Sequence, residues 1–164
     1  MPKRIAVIAV ALLSILALPA GASQTTRVSS EIDRAIWSVV SATVVAEDIV
    51  GMGRLYSPEA VLVTPKGTTP IKETLERWGR DMAAAKARGD RATVEFRFSL
   101  RQDDTTSAFE AGIFKYTVIT KSGVSTPQFV PFEALLVKTN GAWRVLMERQ
   151  FAPVTQPEWD KLAK

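Results

Sequence analysis

Two apolar runs flank an Asn140-Gly141 dipeptide in the stretch Gln128 to Phe151, QFVPFEALLVKTNGAWRVLMERQF. Asn-Gly tolerates the positive φ values that a two-residue hairpin turn requires. With the turn placed there, Thr139 pairs with Ala142, Lys138 faces Trp143, Leu136 faces Val145, Ala134 faces Met147 and Phe132 faces Arg149. Side chains alternate along a strand, so these pairs share one face, here the core face. The outer face carries Val137 with Arg144, Leu135 with Leu146, and Glu133 with Glu148.

The same period of two extends upstream. Thr93 to Gln102 alternates Val94, Phe96, Phe98 and Leu100 against Glu95, Arg97, Ser99 and Arg101, and Ser107 to Thr120 forms the next strand. Two-residue turns at Asp103-Asp104 and Ser122-Gly123 carry the faces through four antiparallel strands. They place Phe109, Ala111, Ile113, Lys115, Thr117 and Ile119 on the core face. Glu95, Glu110, Glu133 and Glu148 then fall outside, as does Tyr116. Proline cannot donate to a ladder, so a bulge or edge is expected at Pro131.

The residues ahead of the sheet read as helical. Ser30 to Val45 carries a stripe of Ile32, Ile36, Val39, Val40 and Thr43, with Trp37 beside it. Asp48 caps a short second helix, Ile49 to Tyr56. Ala60 to Thr64 is a short strand closed by Pro65-Lys66-Gly67. Thr69-Pro70 opens a third helix with Ile71, Leu75, Trp78 and Met82 at helical spacing. Ala152 to Lys164 reads as a loop with one helical turn around Trp159. At the start, Lys3 and Arg4 precede an apolar run from Ile5 to Leu18, and Ala20-Gly21-Ala22 fits signal-peptidase cleavage. Residues 1–22 are therefore expected to be a signal peptide and 23–164 a single domain, periplasmic or secreted, with no membrane attachment after cleavage.

Composition limits the chemistry. The chain has 164 residues, no cysteine and no histidine. Disulfides, thiolate nucleophiles, imidazole bases and His- or Cys-ligated zinc are excluded. Acid–base work falls to Asp, Glu, Lys or Tyr. The formal charge of +4 drops to +2 without Lys3 and Arg4. No basic run with interleaved aromatics suggests nucleic acid. There is no glycine-rich phosphate loop, so no cofactor is implied, and no metal.

Three helices followed by a meandering antiparallel sheet give an α+β layout. The first helix, AEDIVGMGRLYSPEAVLVTPKG (Ala46 to Gly67), the helix with Trp78, and NGAWRVL (Asn140 to Leu146) together resemble the SnoaL-like and ketosteroid-isomerase-like group of the nuclear transport factor 2-like superfamily. The resemblance covers nearly all of residues 23–164. It implies a cystatin-like cone, with three N-terminal helices packed on a curved, mainly antiparallel sheet, a pocket at the open end, and commonly a homodimer. It does not carry over the isomerase machinery. Thr64 stands where those enzymes have an aspartate base, and Val39, Val40 or Thr43 where they have a tyrosine.

Candidate ligand-binding residues are Thr64, Trp78, Lys115, Thr117, Phe132 and Arg149. Lys115 and Arg149 on the rim of an apolar cavity would suit an anionic group on an apolar body. The first functional expectation is an exported small-molecule-binding domain without chemistry of its own, because no acid lies on the core face. An isomerase, dehydratase or hydrolase would need Glu133, Glu110 or Glu148 inside the pocket, which a bulge at Pro131 would arrange. A dimerising or protein-interaction module would use the outer face.

Overall fold

The structure is a computed structural model that describes residues 27–162. The expected signal peptide lies outside these residues. Among the described residues no helix is long and apolar enough to cross a membrane.

The helical stretch expected from Ser30 is already running at residue 27 and continues to residue 46. This element, α1, contains a π turn at Asp33–Trp37 before it resumes regular form over Ser38–Ala46. Its buried side chains include Ile32, Ile36 and Trp37. Glu47 leaves the helix in the left-handed region. Asp48 then caps α2 (Ile49–Gly53) by accepting from the Gly51 amide at 2.8 Å. A Cβ on residue 51 would lie 2.2 Å from the other oxygen of the capping carboxylate, so a side chain there would displace the cap.

The chain leaves α2 earlier than expected. Tyr56 belongs to β1 (Tyr56–Thr64) and not to the helix. β1 turns into β2 (Gly67–Pro70), and α3 (Ile71–Arg88) follows, ending at Gly89 with φ +77°. The β1–β2 hairpin thus separates α3 from the two earlier helices. Four long strands come next: β3 (Arg91–Asp103), β4 (Ser107–Ile119), β5 (Ser125–Thr139) and β6 (Ala142–Gln150). The sheet order is β2-β1-β6-β5-β4-β3, antiparallel except where β1 runs parallel to β6. A last turn, α4 (Gln156–Asp160), starts at a Thr155–Glu158 capping box. Its Trp159 is buried on the outer face against Ile113 and Phe129.

The Asn140-Gly141 turn forms as expected, with φ values of +51° and +77°. Thr139 pairs with Ala142, Lys138 with Trp143, and Leu136 with Val145. Beyond that point the register departs from expectation. Leu136 pairs with Val145 but Leu135 pairs with Met147, so Leu146 is an extra residue in β6. The bulge moves every later side chain of β6 to the opposite face. Glu148 now lies opposite Ala134 on the core face, and Arg149 lies opposite Glu133 on the outer face. Pro131, where the bulge was expected, keeps its register with Ile113 and lies just beyond the last β6 pair, Phe132 with Gln150.

β4 is also turned over relative to expectation. Residues 104–107 connect Asp103 to its partner Ala108, and residues 120–124 connect Ile119 to Ser125, so neither turn has two residues. Asp104 organises the first connection by accepting from the amides of Thr106 and Ser107. The hydroxyls of the same two residues also donate to it, and the four hydrogen bonds hold its carboxyl down to about 2. A second bulge, at Ser99, shifts β3 against β4 between Phe98 and Leu100. Gly112 sits at this point, where a Cβ would come within 2.1 Å of the Arg97 carbonyl oxygen. As a result Glu110, Phe114 and Tyr116 face inward, while Lys115 and Thr117 face outward.

Candidate functional site

α1, α3 and the inner face of the sheet enclose a cavity of about 490 Å³. Its walls are mostly apolar: Trp37, Val40, Val44, Met52, Trp78, Met82, Val94, Phe96, Phe114, Val118, Val130 and Phe132 all border it. The exposed lining residues Asp81, Arg88, Arg91 and Gln128 mark its mouth. Polar groups on the inner wall are Tyr56, Tyr116, Glu148 and Gln150, and the half-buried Glu47 and Asp90 also border the cavity.

Glu148 is a buried acid on the wall of this cavity. It is 8% exposed and accepts from the Tyr56 hydroxyl at 2.7 Å and from Gln150 Nε2 at 2.6 Å. The parallel contact of β1 with β6 brings Tyr56 beside Val145, and the Leu146 bulge then turns Glu148 and Gln150 inward. Burial pushes the Glu148 carboxyl above its ordinary value, although both donors favour the ionised form. Burial also drives the Tyr56 phenol well above its ordinary value, with the Glu148 charge acting in the same direction.

A second buried carboxyl provides a contrast. Glu110 has no exposed surface and accepts from Trp37 Nε1 at 2.5 Å and from Arg101 Nε at 2.8 Å. Arg101 also bonds both oxygens of Asp33, at 2.7 and 3.0 Å, and stacks 4.1 Å from the Phe98 ring centre. Burial raises the Glu110 carboxyl, opposed by Arg101 and the Trp37 indole. Its charge has a cationic partner within the chain, so we read Glu110 as structural support for Trp37, which forms part of the cavity wall.

Of the six candidate residues, Trp78 and Phe132 border the cavity. The other four are elsewhere. Thr64 accepts from the Lys66 amide at 3.2 Å in the exposed β1–β2 turn. Lys115 is on the outer face, paired with Glu95 and 5.6 Å from the Trp159 ring. Thr117 is buried on that same side of β4. Arg149 pairs with Glu133 at 3.5 Å and lies over Phe151. The inward placement of Lys115, Thr117 and Arg149 is therefore corrected, and the reason is loop length in β4 and the Leu146 bulge in β6. Sequence reasoning missed Tyr56, Gln150, Tyr116 and the inward aim of Glu148. The Glu residues were named as the ones an enzyme would need, but the bulge was sought at Pro131. Among the described residues no three acidic side chains gather as a metal site would require.

The sequence matches no protein-family model, and no curated protein matches it. Solved structures do. A nuclear transport factor 2-like superfamily protein from Salmonella enterica matches with TM-score 0.59 and 14% identity, over 84% of this chain and 96% of that one. A ketosteroid isomerase-like protein from Erwinia carotovora matches with TM-score 0.52 and 17% identity, over 76% and 98%. A protein of unknown function with a cystatin-like fold, from Nostoc punctiforme, matches with TM-score 0.53 and 14% identity, over 85% and 95%. At these identities the likeness concerns the backbone, and it establishes that the chain has the nuclear transport factor 2-like, cystatin-like fold.

Proposed function

We propose that this chain binds a small, mainly apolar molecule inside the cone, with Glu148 as the group that engages the molecule's polar end. The observation that carries this reading is the aim of Glu148 into an apolar cavity of about 490 Å³, with Tyr56 and Gln150 holding its two oxygens. A largely apolar concavity with a few converging polar groups is the usual form of a small-molecule site. The expectation of an anionic ligand loses its support, because Lys115 and Arg149 lie outside. The expectation of a purely non-catalytic domain also loses its premise, since it rested on a core face without acids.

A second reading, proton transfer, is favoured by the Tyr56–Glu148 contact. A buried carboxyl with a raised proton affinity next to a phenol is suited to general acid–base work, as in an isomerase or dehydratase. On either reading we propose export directed by residues 1–22 and a homodimer formed through the outer face of the sheet.

A thermal-shift screen of the purified protein against a metabolite panel tests the binding reading. Apparent stability rises by about 2.7 kcal/mol at a hundredfold excess over the dissociation constant. Compounds that shift the wild type are expected to lose the shift in Glu148→Gln and Trp78→Ala. Shifts unchanged in both variants would place the ligand elsewhere and end the reading. Proton transfer is tested by incubating bound compounds in D₂O. Deuterium entering a carbon position with wild type but not with Glu148→Gln supports it, and no exchange rejects it.

A further inference from the structure

We infer that the molecule held in the cone is an amine with an apolar body, bound as its ammonium form, and that Glu148 is its counter-ion. This rests on the binding reading above and narrows it to a chemical class. The two buried carboxylates differ in how their charge is met. Glu110 has Arg101 Nη2 at 2.7 Å. Glu148 has only neutral donors, Tyr56 and Gln150, and no cationic side chain pairs with it among the described residues. A carboxylate away from water either keeps its proton or takes a positive partner. The arginines bordering the cavity do not provide one: Arg88 pairs with Asp90 at 2.8 Å, and Arg91 is exposed at the mouth.

The walls favour the same sign of charge. The rings of Trp37, Tyr56 and Trp78 border the space that Glu148 faces. Aromatic faces attract a cation, more strongly when water is excluded. Asp81 and Arg91 both stand at the mouth, Arg88 pairs with Asp90 and Glu47 with Lys86, so the mouth carries no net sign and Glu148 on the inner wall sets the preference. A ligand carboxylate would meet the Glu148 charge.

The test uses three adamantane probes of one shape: 1-adamantylmethylamine, 1-adamantanemethanol and 1-adamantanecarboxylic acid. Binding to the full protein at pH 7 is followed by calorimetry. Both the hydroxyl and the ammonium can donate to the carboxylate, and only the ammonium adds an opposite charge, so the amine is expected to bind on the order of tenfold more tightly than the alcohol. The acid is expected to bind most weakly. Glu148→Gln is expected to remove the preference, so that the amine binds no more tightly than the alcohol, while Tyr56→Phe, which keeps the carboxylate, retains the preference. If the alcohol or the acid binds wild type as tightly as the amine, the inference is overturned and the binding reading survives. If none of the three binds, both fall. A preference that persists in Glu148→Gln also overturns the inference, whatever Tyr56→Phe does.

Discussion

Replacing Arg101 by methionine would leave Glu110 buried with no cation. The carboxylate has no exposed surface, and its partners are Arg101 at 2.7–2.8 Å and Trp37 at 2.5 Å. Breaking a buried pair on one side costs about 3–5 kcal/mol, because the remaining charge is desolvated and unmatched. The Arg101–Asp33 contact is half exposed on the Asp33 side and adds little, about 0–1 kcal/mol. With a urea m-value of about 2 kcal/mol/M, the denaturation midpoint should fall by roughly 2 M. The cost depends on pH with a definite sign. Burial already raises the Glu110 carboxyl, and Arg101 works against that. Without Arg101 its folded-state proton affinity rises further above that of the unfolded chain. The native state then binds more protons than the unfolded one, so stability falls as pH rises from the ordinary carboxylate range through the folded value. The variant should therefore be most impaired at pH 7 and should recover toward wild type near pH 4.5. Adding Glu110→Leu should restore most of the loss, since a buried pair can often be exchanged for apolar groups. A pH-independent cost, or one below about 1 kcal/mol at pH 7, would refute this account of the pair.

Other changes test separate parts of the structure. For Glu148 the folded-state proton affinity is raised with no opposing cation, so wild type should lose stability as pH climbs through that range; Glu148→Gln should flatten this slope in urea titrations at several pH values. Gly112→Ala should cost about 1–3 kcal/mol, because its Cβ would lie 2.1 Å from the Arg97 carbonyl oxygen and β3 must yield. Trp159→Ala should cost about 3–5 kcal/mol by the same assay, since Trp159 is 4% exposed and fills the contact with Ile113, Phe129 and the Arg97 guanidinium.

The parts of the fold that read directly from sequence are those governed by local chemistry. Asn140-Gly141 supplies its own backbone conformation, so the β5–β6 turn and its first pairs follow from two residues. Asp48 as a cap is local in the same sense. Register further away depends on the number of residues in each connection and on single-residue bulges. Asp104 makes the first connection through side-chain hydrogen bonds to Thr106 and Ser107, which alternation does not reveal. The Leu146 bulge has no proline or glycine to announce it; Leu146 and Met147 are both apolar and half-buried, so either parity satisfies the pattern. That one residue decides whether Glu148 faces water or the cavity. Gly112 was a readable signal, because a glycine inside a strand often marks a bulge or a close backbone approach. Tyr56 was legible as a residue but not as a strand residue, since its place is set by pairing with Val145 far along the chain.

The central claim is that Glu148 lies in the cavity beside Tyr56. Carbon-13 NMR of the glutamate carboxyls, followed with pH and assigned by Glu148→Gln, tests it most directly. The account predicts that the Glu148 carboxyl titrates above the ordinary glutamate range and that a bound cavity ligand moves its resonance. Titration at the ordinary value of 4.5, with no response to ligand, would put Glu148 on the solvated face and contradict the account.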